Sequence, residues 1–279
     1  MKRGIILNKI KPFSYHFVWL SALFILGGSI INLPFAFADK LTFLGFLISL
    51  VLAVLLSFAV YKFDFLKYPV LAFALYLIGD TLVVFLGFIS ETVLRDNQNF
   101  WILILFAFPL LYFCFRRISE IYNFSLICGV VCGLLLIFFF LATAKDFNLS
   151  NIYIHSFPKA EKLFRQTVPY IKGVTVSSAV LTLFAKQNNI KKPPLISGIF
   201  IGAAFLLISI FNSVLLFGAG MAGELDYPYA MAISTVTFGN LFSRLDGFSY
   251  FIYFVTAVIK IAVCVNVVKT EIVKRKATF

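Results

Sequence analysis

The 279-residue chain is 61% hydrophobic and 13% charged and contains 36 Phe, more apolar surface than a water-soluble core of this length can use. Stretches of roughly the 20 apolar residues needed to cross a bilayer recur along nearly the whole chain, which excludes a soluble domain on a single anchor. The formal charge of +12 does not point to nucleic acid, because no basic run is interleaved with stacking aromatics on a polar segment.

The expectation is an all-α protein, a polytopic helical bundle forming one integral membrane domain over 1–279, with spans at 17–38, 41–61, 69–90, 100–115, 121–143, 167–185, 194–218 and 247–268. The first span contains FILGGSIINLPFAFADK, at 24–40, which has two readings. Ala36-Phe37-Ala38 before Asp39 fits a signal-peptide cleavage site. Alternatively Gly27-Gly28-Ser29, followed by Asn32 and Pro34, breaks a helix that stays in the membrane. Lys9 and Lys11 precede an apolar stretch of full spanning length, which favours the second reading. Broken backbone is tolerated at membrane depth only where it is buried in protein or lines a cavity. Close helix packing on small residues is the plain alternative.

Farther along, Asp80 lies mid-span in LYLIGDTLVVF. The fourth span, FWILILFAFPLLYFCF, is short and runs into Arg116-Arg117, so it must snorkel its ends, thin the bilayer or sit partly re-entrant. Cys128 and Cys132 share a helix face in the fifth span with no histidine or carboxylate beside them, so neither a metal site nor a disulfide is expected. The connection to the sixth span carries four positive charges on what should be the outer side, so either part of it is an amphipathic surface helix, as PKAEKLF reads, or one neighbouring span is misassigned. The sixth span is interrupted at Pro169-Tyr170-Ile171-Lys172-Gly173 and continues with Thr175, Ser177 and Ser178. Lys172 is read as a boundary lysine able to snorkel. After the seventh span, 221–247 reads as a short helical hairpin on the outer face, and Lys260 lies mid-span in the eighth.

Ionisable residues within spans are functional candidates, because burial in lipid costs at least ~2.5 kcal/mol at a helix centre. An Asp80–Lys260 ion pair would reduce both costs; a proton-carrying carboxylate, or a lysine in place of a bound cation, is the alternative. Two interrupted spans, one near the start of each half, are also the pattern of an inverted-repeat transporter core, whose half-helices expose backbone groups to a ligand at the midplane. His16 at the membrane edge and His155 in a loop stand far apart with no nucleophile motif nearby. No catalytic triad, phosphate loop or metalloprotease box occurs, so neither an enzyme nor a cofactor is expected. Lysine and arginine cluster at 2–11, 62–67, 116–117, 186–192 and 269–276 and are sparser in the alternate loops. That asymmetry puts both termini in the cytoplasm.

Two stretches together resemble the permease-like B subunit of bacterial spore germinant receptors, within the amino acid/polyamine/organocation (APC) transporter superfamily. The stronger includes Phe217-Gly218, Tyr227-Pro228, a turn over 239–246 with Arg244, and Ile259-Lys260; the weaker is Gly28-Ser29 with Pro34. The resemblance implies a leucine-transporter-like five-plus-five inverted repeat, here without its last two helices. It implies a subunit in an inner (spore) membrane that senses a small nutrient, an amino acid above all, and acts with other germinant-receptor subunits. Gly27, Gly28 and Ser29 would supply backbone groups to that ligand, Thr175, Ser177 and Ser178 polar contacts, and Lys260 a fixed positive charge; Asp80 is the candidate proton carrier only if the protein is a proton-coupled permease instead. A proton-coupled amino acid permease and a shortened scaffold homologue without a ligand are the rival expectations.

Overall fold

A computed structural model describes residues 14–27, 29–32, 42–92, 99–152, 160–235 and 246–276. Among them no strand occurs and almost every residue is helical, as expected where no water is present to satisfy open backbone groups. The helices are α1 (Ser14–Leu26), α2 (Ser29–Asn32), α3 (Thr42–Lys62), α4 (Lys67–Thr92), α5 (Asn99–Phe115) and α6 (Ile118–Thr143). They continue with α7 (Ala160–Tyr170), α8 (Ser177–Gln187), α9 (Lys192–Glu224), α10 (Pro228–Ser234) and α11 (Asp246–Lys276). Among the described residues, six stretches are long and apolar enough to cross a membrane: α3, α4, α6, the stretch Thr167–Gln187, α9 as far as Gly218, and α11. The chain is an integral membrane protein with a helical bundle.

The remaining two expected spans are less regular. The first is not one helix, because α1 stops at Leu26, Gly27 turns, and a single turn of helix resumes at Ser29. The Pro34 and Ala36-Phe37-Ala38 part lies outside the described residues. The fourth is α5, whose 17 residues reach about 26 Å at 1.5 Å per residue, short of the roughly 30 Å hydrocarbon core.

The sixth span and its irregularity lie close to where the sequence places them. The interruption takes the form of a π-helical segment of six residues, Ile171–Val176, which joins α7 to α8 without opening the chain. Pro169 cannot donate a backbone hydrogen bond, and the wider π turn that follows is the usual form of a defect carried inside an otherwise continuous helix. The membrane-length stretch is Thr167–Gln187, close to the expected 167–185, and it is preceded without a gap by the amphipathic first turns of α7 from Ala160. In the region expected to form a short helical hairpin, α9 kinks at Gly218 (φ 78°, ψ 156°), a conformation that favours glycine, runs on to Glu224, and is followed by α10, which turns Tyr229 and Ile233 into the core. Residues 236–245 lie outside the described residues.

Burial separates inner from outer helices. Of the membrane-length part of α11, 78% is buried, against 33% for α3 and 28% for α4. Leu47, Val51, Leu55 and Phe58 on α3, and Ile127, Leu134 and Leu141 on α6, stay exposed as apolar rows suited to lipid. α1 is the opposite case, with Leu20 to Leu26 buried without exception. It is held between two glycine seams. A Cβ at Gly129 on α6 would lie 2.8 Å from Trp19. On α9, a Cβ at Gly198 would lie 2.4 Å from the Ser21 Cβ, and one at Gly202 2.9 Å from the Ala22 carbonyl oxygen. Both seams have small residues four apart, which let helices approach closely where lipid offers no hydrophobic drive to associate. This clamp fixes where the end of α1 points.

Candidate functional site

The end of α1 is built against α11. The Gly27 N–H completes the last turn by donating to Leu23 O at 2.9 Å. A Cβ at Gly27 would lie 2.5 Å from the Thr256 carbonyl oxygen and 3.0 Å from the Lys260 Cβ, so a side chain there would force the two helices apart. The freed Gly27 carbonyl accepts a hydrogen bond from the Lys260 ammonium. That ammonium is buried and lies 5.7 Å from the Phe24 ring centroid. A cation at a helix C-terminus meets both the open carbonyls and the negative end of the macrodipole, which accounts for how the α1 break tolerates a lysine in its core.

On the far side of the break, the Ser29 hydroxyl donates to the Gly173 carbonyl at 3.2 Å. A Cβ at Gly173 would lie 2.8 Å from that hydroxyl oxygen. The two interruptions singled out in the sequence therefore abut directly: the turn at Gly27 and the π segment at Gly173. One residue earlier, the Lys172 ammonium donates to Asp80 Oδ1 on α4 and lies 5.5 Å from the Tyr76 ring centroid.

These groups converge on one cavity. Ser29, Asp80, Lys172, Gly173 and Lys260 line it, with Tyr170 and apolar neighbours closing it. Its water-accessible volume is about 20 Å³, and one water needs about 10–15 Å³ on the same measure. As it stands the space between these groups has room for about one water, and the Lys172 and Asp80 side chains on its wall are partly exposed. An amino acid enters only if α1–α2 and the π segment separate.

Several expectations are corrected by this geometry. Asp80 and Lys260 share the cavity, but Asp80 bonds Lys172 while Lys260 bonds a carbonyl. Lys172, read as a boundary lysine, is turned toward α4, where its ammonium bonds Asp80. Thr175, Ser177 and Ser178 do not line the cavity. The Thr175 hydroxyl donates to Ser49 O on α3 at 2.8 Å, and Ser178 donates back to Val174 O at 2.7 Å. Ser177 Oγ is buried with no partner among the described residues. The π segment turns residues 172–174 to the cavity and the next polar residues to α3 and the helix interior. Gly28 lies outside the described residues, while the Gly27 carbonyl bonds Lys260 and the Ser29 hydroxyl bonds Gly173.

Lys172 is the site residue that the sequence reading passed over, although the interruption that carries it was recognised. Elsewhere, the four cysteines are buried free thiols, and no group of three metal-ligating side chains occurs among the described residues. Phe217-Gly218 is the α9 kink. Its open turn is held by the Asn148 N–H and the Asn151 side-chain amide, which donate to Leu215 O at 3.0 and 3.1 Å. Tyr227-Pro228 opens α10, where Tyr227 packs on Phe88 of α4 with centroids 4.8 Å apart. Burial, and then Glu91 beside it, push the Tyr227 hydroxyl above its ordinary pKa, so it remains a neutral donor. Arg244 and most of its turn lie outside the described residues. No family model, curated protein or solved structure matches this chain.

Proposed function

We propose that the chain is a permease-like sensor subunit of the germinant-receptor type, in which a small nutrient such as an amino acid binds where the α1 turn meets the π segment. The observation that carries this reading is the meeting of two backbone irregularities, through Ser29 and Gly173, on a cavity lined by Asp80, Lys172 and Lys260. Non-helical backbone and intramembrane charge are both costly, and both are characteristic of ligand sites in membrane bundles. In this proposal the core is an APC-like inverted repeat, both termini face the cytoplasm, and the membrane is the inner membrane of a spore. Ligand entry parts α1–α2 from the π segment, and the change in helix packing passes to partner receptor subunits. A ligand shifts such an equilibrium only through its differential affinity for the closed and open forms.

Thermal unfolding of the full-length protein in detergent, with each common amino acid in turn, tests the reading. A binding ligand at about 100 times its Kd stabilises by about 2.7 kcal/mol. That stabilisation is lost in Gly173→Val, whose side chain would enter the Ser29 contact, and kept in Gly79→Val, where a Cβ has nothing within 4 Å. No stabilisation by any amino acid would count for the ligand-free scaffold.

A second reading, a proton-coupled permease, is favoured by the Asp80 carboxylate on the cavity wall. Uptake into proteoliposomes that follows a pH gradient and disappears in Asp80→Asn would select it over the sensor.

A further inference from the structure

The cavity between the α1 turn and the π segment is lined by two ammonium groups, those of Lys172 and Lys260, and among the described residues by one carboxylate, that of Asp80. Its formal charge is +1. Asp80 is committed to Lys172, while the hydrogen-bond partner of Lys260 is the uncharged Gly27 carbonyl. The end of α1 offers Lys260 a partial negative charge, but no anion.

We infer that the ligand of this cavity carries a net charge of −1 through a carboxylate, as an acidic amino acid or a simple monocarboxylate does. The inference rests on the reading that this cavity is the ligand site. Lys260 is buried, and an uncompensated charge at a buried position is unfavourable, with compensation coming from a paired group of opposite sign. A monoanion brings the cavity to neutrality. A neutral zwitterion leaves the excess in place and introduces a third ammonium, and a cationic ligand adds to the excess. The chemistry at hand also suits a carboxylate: its two oxygens accept hydrogen bonds, and each lysine supplies several donors on a flexible stem. The Ser29 hydroxyl, released from Gly173 as the cavity opens, adds a further donor.

Thermal unfolding of the full-length protein in detergent, at matched ionic strength, tests this with three sodium-balanced probes: L-glutamate, acetate and L-alanine. Stabilisation by glutamate or acetate but not by alanine is the expected result, and which of the two acts separates the acidic amino acid from the simple monocarboxylate. Lys260→Met, which removes the excess charge, weakens the effective probe by roughly thirtyfold or more, whereas Lys260→Arg keeps it. Stabilisation by alanine alone would overturn the charge inference and leave the site reading standing. No response to any of the three, or to any other amino acid, would remove both. If Lys260→Met does not fold, the ranking of the three probes on the unaltered protein decides alone.

Discussion

Replacing Lys172 by methionine isolates the Asp80–Lys172 pair. In this pair the aspartate side chain is 16% exposed and the lysine side chain 35%, so it lies between two well-measured limits. Exposed ion pairs contribute about 0.2–1 kcal/mol, and breaking a fully buried pair costs about 3–5 kcal/mol, because one charge is left behind. Lys172→Met should therefore cost about 2–3 kcal/mol. The double variant Asp80→Asn/Lys172→Met removes both charges of the pair and leaves the Lys260 charge as it is in the parent, so it should lie within about 1 kcal/mol of the parent. Lys260 lies on the same cavity and offers Asp80 a second cation, so the cost of Lys172→Met should rise when Lys260→Met is also present. Unfolding in mixed micelles by increasing denaturing detergent gives all the free energies of the cycle. If the costs of Asp80→Asn and Lys172→Met simply add, the two side chains are not paired and the account of the cavity fails.

Gly198→Leu should destabilise by about 1–3 kcal/mol through overpacking against Ser21, while Gly79→Ala, where a Cβ meets open space, should be neutral or stabilising by up to about 1 kcal/mol; the same unfolding assay reads both. Asn151→Ala removes a donor from Leu215 O and should cost about 1 kcal/mol, with faster hydrogen exchange confined to the α9 kink. Single cysteines introduced beside Lys62 and Arg116 in a background lacking the native thiols should react with an impermeant maleimide only from the cytoplasmic side, and the reverse result would invert the proposed orientation.

Much of the bundle was legible in the residues themselves. Apolar length alone determines that α3, α4, α6, α9 and α11 span, because a membrane helix satisfies its own hydrogen bonds and needs only a sufficient run of apolar side chains. Composition at Gly27-Gly28-Ser29 and at Pro169 to Gly173 likewise marks where the backbone departs from regular helix, although whether such a place becomes a turn or a π segment depends on what packs around it. Asp80 and Lys260 stand out one residue at a time, since a charge in an apolar run is anomalous whatever surrounds it.

Which groups meet was decided by tertiary structure. Asp80 could have reached either lysine; the rod from Ala160 to Gln187 turns Lys172 toward α4, and the end of α1 captures Lys260. Ser29 and Gly173 touch across 144 positions of sequence, and Thr175 faces α3 when a purely local reading would aim it at the ligand. These outcomes depend on the rotation of each helix about its axis and on how closely two helices approach. Both are set by partners distant in the chain, chiefly the glycine seams that clamp α1 between α6 and α9. The sequence by itself determined the spans and the weak points in the backbone, and the packing of helix on helix decided that two of those weak points share one charged cavity.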